Sequence, residues 1–181
     1  MFFSKIKWQA AVLCCVLVLA FAGAAYAQTN MKLRSSAFAP GNAIPKQFSC
    51  DGQNISPAIA WRGTPASAKT LALIVDDPDA PSGTFVHWVV YNLPASVKYL
   101  PQDVPKTPTI TGGGLQGHNG TGKDGYKGPC PPAGPVHHYH FRIYALDTDL
   151  KLGPGATADQ VEAAIKGHVI GEGETVGTYQ R

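Results

Sequence analysis

Charge is scarce in this chain, and most of it cancels. Lys and Arg number 15 against 12 Asp and Glu in 181 residues. Lys5 and Lys7 supply two of the three excess positive charges, so residues 28–181 carry about +1. Such a balance gives no footprint for a nucleic-acid surface. Other absences narrow the chemistry further. The sequence has no C-x-x-C and no Cys/His pairing at zinc-finger spacing, and it lacks H-E-x-x-H. G-x-x-x-x-G-K-[ST] is missing, and no helical pattern follows the glycine-rich stretch 112–128, which argues against a nucleotide loop. There is no G-x-S-x-G nucleophile elbow either. The one long apolar run, Ala10 to Phe21, is too short to span a membrane comfortably.

That run follows Lys5 and Lys7 and leads to Ala25-Tyr26-Ala27, an A-x-A cleavage site. The pattern predicts a signal peptide over 1–27 and an exported protein, periplasmic in a Gram-negative cell and otherwise secreted. Neither Cys14 nor Cys15 follows the Leu-small-small pattern of a lipoprotein signal, so no stable membrane insertion is expected after cleavage. Residues 28–181 suffice for a single domain with a real core. Cys50 and Cys130 remain in it, 80 residues apart. Export allows them to pair, and loop-closure entropy would give the bridge about 4.5 kcal/mol. Two buried thiols are the alternative, and the sequence leaves both open.

Glycine and proline are abundant, 20 and 15 residues, as expected of strands joined by shaped loops. Strands are predicted over 31–36, 58–61, 69–77, 84–93, 137–146 and 169–179, with a short one at 46–49. Lys69 to Asp77 is a continuous apolar run and reads as a buried strand. Residues 100–132 form a long irregular stretch. Thr157-Ala158-Asp159-Gln160 has the form of a capping box, opening a helix over 158–166 that Gly167 ends. The tally predicts a mainly β fold: an antiparallel β-sandwich with one or two short helices, the C-terminal helix followed by a strand.

Polar side chains stand at the ends of three apolar strands. In the strand from His137, alternation puts His137, Tyr139, Phe141 and Ile143 on one face and His138, His140, Arg142 and Tyr144 on the other. Alternation likewise groups His87 with Phe85, Val89 and Tyr91. The turn Asp76-Asp77-Pro78-Asp79-Ala80-Pro81 is stiffened by two prolines and offers Asp77 or Asp79. Polar groups at the mouth of an apolar interior suit a small ligand.

Asp77-Pro78-Asp79-Ala80-Pro81, His87-Trp88, and Gly128-Pro129-Cys130-Pro131-Pro132 with His137-His138-Tyr139-His140-Phe141 together resemble the phosphatidylethanolamine-binding protein family. Within it the bacterial Raf-kinase-inhibitor-like branch is the nearer match, as Phe48 to Pro57 and Gly125 to Gly128 also fit. The resemblance implies a β-sandwich with a small anion pocket for phosphate-bearing head groups. By position the pocket is Asp77, His87, His137 and Tyr139, walled by Pro81, Pro132 and backbone near Gly128. The family's usual Arg before the motif Tyr is His138 here.

A phosphate needs donors, which imidazole, phenol and free backbone N–H groups supply. Asp77 is expected to orient an imidazole or to accept an ethanolamine ammonium. The leading expectation is an exported binding protein for phosphate-containing small molecules or phospholipid head groups. It needs no cofactor or metal and acts on no nucleic acid. An enzyme is the main alternative, a His/Asp-based hydrolase with Ser82 or Ser56 as nucleophile. His138 and His140 offer a surface pair for a divalent ion. A periplasmic or extracellular protein partner, such as a protease that the chain inhibits, is a further expectation from the resemblance.

Overall fold

The computed structural model describes residues 28–181. The expected signal peptide lies outside the described residues. Among the described residues nine strands make two sheets. The larger contains β1 (Thr29–Asn30), β4 (Thr70–Asp77), β5 (Phe85–Pro94), β7 (Leu115–Gln116), β8 (His137–Leu146) and β9 (Val169–Tyr179), in the order β1-β9-β8-β4-β5-β7. The smaller contains β2 (Lys32–Ser35), β3 (Ile59–Arg62) and β6 (Tyr99–Leu100). Among the described residues no helix is long and apolar enough to cross a membrane.

The continuous apolar run of β4 is explained by burial on both faces. Leu71, Leu73 and Val75 face the small sheet and pack with Trp61, Phe141 and Ile143. Ala72 and Ile74 face the other way, against Val161 and Ile165 of α1 (Ala158–Ile165). The helix thus adds a partial third layer to the sandwich. Its predicted capping box is present: the Gln160 N–H donates to Thr157 Oγ1, and the Thr157 N–H to Gln160 Oε1. Gly167, at φ +80°, supplies the left-handed turn beyond its end.

Two details differ from expectation. The pairing is not wholly antiparallel, because β1 runs parallel to β9. Residues 46–49 are not a strand. Pro45 starts a 3-10 turn over Lys46–Phe48, and the Ser49 hydroxyl closes it on the Lys46 carbonyl. The stretch 100–132 is irregular as expected, apart from β7 and the end of β6. Its anchor is Gln116, which accepts from Trp88 Nε1 and donates to the carbonyls of Pro105 and Thr107. Cys50 and Cys130 are disulfide-bonded, with Cα atoms 5.4 Å apart.

Candidate functional site

Alternation along β8 is as the sequence predicts. His137 and Tyr139 are buried on the inner face, and His138 is exposed on the outer. Asp77, the last residue of β4, lies on the same inner face, because Val75 pairs with Phe141 and the residues two further along stay in step. Its Oδ2 accepts from His137 Nδ1 at 2.8 Å, and its Oδ1 accepts the Asp79 N–H at 2.9 Å. The first bond fixes the imidazole in one orientation with Nδ1 protonated.

His87 reaches this face by a device that period counting does not show. Between the pairs Asp76↔Val86 and Val75↔Trp88 the register shifts by one, which leaves His87 as an extra, bulged residue of β5. Bulges re-aim side chains. His87 leaves the face of Val89 and Tyr91, which pack against the helix, and lies edge-on to Tyr139 with ring centres 5.0 Å apart. Phe85 covers its other side at 4.9 Å. Four groups from three strands therefore meet, each no more than 3 % exposed.

Their protonation follows from their partners. His87 Nδ1 lies 2.6 Å from the Lys127 carbonyl, which only accepts, so Nδ1 carries the hydrogen. Burial lowers the His87 pKa to about 4, against the opposing pull of that carbonyl and of Asp77. At neutral pH His87 is uncharged and Nε2 is a lone pair. It is thus an acceptor there, where the sequence suggested a donor for an anion. Tyr139 is the reverse case. Its hydroxyl is buried with no hydrogen bond of normal length and angle, and burial, the nearby Asp77 carboxylate and a weak interaction of the hydroxyl with that carboxylate push its ionisation far up. It stays a phenol whose O–H is available to a better acceptor.

Gly128 is buried, but its N–H donates to Asn54 Oδ1 at 2.7 Å and is not free for a ligand. Glycine is required there because a Cβ would meet the Phe48 carbonyl oxygen at 2.2 Å. Pro81 and Pro132 are exposed on the turns preceding β5 and β8. Asp79 is not part of the quartet. It accepts from the backbone N–H and Nδ1 of His138, which hold its carboxyl below the usual range, and so ties the Asp-Pro turn to the start of β8. His140 turns instead to Glu174, so His138 and His140 do not form a pair. Among the described residues no group of three or more His, Cys, Asp or Glu is placed to hold a metal. Sequence reasoning missed Lys127 and Asn54 because both act through contacts distant in the chain.

The His87 environment has a consequence for stability. A folded pKa near 4 against 6.5 for a free imidazole means that the unfolded chain binds a proton the folded chain refuses. Stability from this group is complete above pH 6.5 and falls as pH drops toward 4, by about 3 kcal/mol. His87→Gln should flatten that decline. Denaturant midpoints at pH 7, 5.5 and 4 for both proteins will check it.

Fold and site together define a two-sheet β-sandwich whose inner face holds a buried acid–imidazole pair beside a free phenol. The chain belongs to the phosphatidylethanolamine-binding protein family, whose model matches residues 34–180. A UPF0098 protein of Methanothermobacter thermautotrophicus is 50 % identical over 151 residues, covering 83 % of this chain and 99 % of that one. A Mycobacterium tuberculosis protein named as a lipoprotein, LppC, is 43 % identical over 152 residues, covering 83 % of this chain and 72 % of that one. The crystal structure of Escherichia coli YbcL, described as a member of the mammalian family, superposes with TM-score 0.77 at 32 % identity. It covers 83 % of this chain and 98 % of that one.

Proposed function

We propose that the chain is an exported binding protein for phosphate-bearing small molecules or phospholipid head groups, held by Asp77, His87, His137 and Tyr139. The observation that carries this is the orphaned Tyr139 hydroxyl beside a neutral His87. Leaving a buried donor unpaired costs about 1–3 kcal/mol, a cost that a ligand oxygen would remove. The partners also specify the anion. One free donor next to a lone pair suits hydrogen phosphate or a singly protonated phosphate monoester, which both accept and donate, better than the diester of an intact phospholipid, which only accepts. Sulfate only accepts at neutral pH.

Both Asp77 oxygens already serve internal donors. Recognition therefore falls on the phosphate rather than on an ethanolamine ammonium, and phosphate and phosphoethanolamine should bind alike. Binding is favoured over hydrolysis because neither expected serine meets an imidazole. Ser56 Oγ is buried and accepts the Val104 N–H, and Ser82 lies exposed in a turn. The lipoprotein name of the mycobacterial relative agrees with export.

Tyr139→Phe is the direct test. Removing an orphaned hydroxyl should leave stability unchanged or raised, whereas loss of the hydrogen bond to a charged ligand weakens phosphate binding at least tenfold. Titration of phosphate, phosphoethanolamine and sulfate, followed by the His87 and His137 ring resonances, reads all three points. If those signals do not move with phosphate, the proposal fails.

A further inference from the structure

The small sheet keeps one face in the core and turns the other to solvent. Leu33, Ile59, Trp61 and Leu100 point inward and are buried. The register places Lys32, Arg34, Ala60, Arg62 and Tyr99 on the opposite face. That face holds three cations and no carboxylate. Lys98 borders it, and Tyr99, 62 % exposed, is the more exposed of the two large hydrophobic side chains left at the surface among the described residues. None of the four cations has a carboxylate partner among the described residues.

The arrangement works against stability. Lys32 stands directly opposite Arg62, and like charges in that position destabilise an antiparallel pair. Protection of sheet edges accounts for cations on β2 and beside β6. It does not account for Arg62, which is on the central strand. With residues 28–181 near electrical balance, the patch is a local concentration of charge rather than a reflection of the whole. A hollow of about 560 Å³ opens among Arg34, Arg62, Lys98 and Tyr99, floored by Ala60 and Gly63.

We propose that this face docks onto a membrane surface of anionic phospholipids. The cations meet lipid phosphates, and the Tyr99 ring rests at the head-group level, where an apolar ring with a polar tip is favoured. A soluble acidic polymer would satisfy the cations but would leave the Tyr99 ring in water. The surface is independent of the buried quartet, which lies on the other sheet.

Vesicle sedimentation of the full chain tests the assignment, comparing phosphatidylglycerol–phosphatidylcholine mixtures with phosphatidylcholine alone. Binding should be at least tenfold tighter to the anionic vesicles, and the gain should vanish at high salt. At about five-fold per cation, Arg34→Gln/Arg62→Gln should lose about 25-fold of affinity for anionic vesicles. Its thermal midpoint should be no lower than the parent's, since the like-charge pair is gone. Arg34→Gln/Arg62→Gln should bind phosphate as the parent does, because both residues lie on the small sheet away from the quartet, and this separates the proposal from the anion site. Equal binding to both vesicle types would overturn it. So would parent-like binding by the double variant, or capture by heparin without any binding to vesicles.

Discussion

Cys130→Ser is expected to lower the stability of the folded chain by about 4.5 kcal/mol. The loop it opens spans 80 residues, and the loss of loop-closure entropy scales with that length. For a domain of this size the shift corresponds to a fall of about 10–18 °C in thermal midpoint. Reductant should reproduce it in the parent. The effect should reside in the unfolded state, because other contacts hold the same junction once the chain is folded. The Cys50 N–H donates to the Pro129 carbonyl, the Gly128 N–H to Asn54, and the Tyr126 hydroxyl to the Phe48 carbonyl. The Lys127 N–H also donates to the His87 carbonyl. His87 therefore keeps its partner in the reduced protein, and phosphate affinity at low temperature should not change. Calorimetry with and without reductant, paired with a phosphate titration, separates the two effects. Affinity that fell in step with stability would place the disulfide in the site's own framework.

What could be read from the sequence was what depends on short-range periodicity. One residue out of two on β8 faces inward, so His137 and Tyr139 were bound to share a face once the strand formed. The capping box of α1 is likewise local. The face of His87 was not legible, since a bulge arises from pairing between strands and leaves no mark in the alternation of one strand. Its protonation was illegible for a related reason. The partner is a backbone carbonyl 40 residues away, and every residue has a carbonyl. The parallel pairing of β1 escaped because a two-residue strand carries no pattern. The choice between Asp77 and Asp79 turned on geometry as well: the last residue of β4 keeps the inner face, while Asp79 lies beyond the strand and meets His138.

Breaking the Asp77–His137 pair from either side should reveal how the quartet is held. His137→Ala leaves a carboxylate at 3 % exposure without its imidazole, and uncompensated buried charges of this kind cost about 3–5 kcal/mol. Asp77→Ala removes the charge, but it strands His137 Nδ1 and the Asp79 N–H. The double variant carries neither the orphaned carboxylate nor the orphaned imidazole. It should therefore lose less than the sum of the single losses, by about 1–3 kcal/mol. Denaturant unfolding of the four proteins measures that coupling. Additive losses would mean that the bond at 2.8 Å contributes nothing to the fold and that packing alone sets the quartet's geometry. Strong coupling would identify Asp77 as the group that positions His137, with the orientation of the imidazole fixed before any anion arrives.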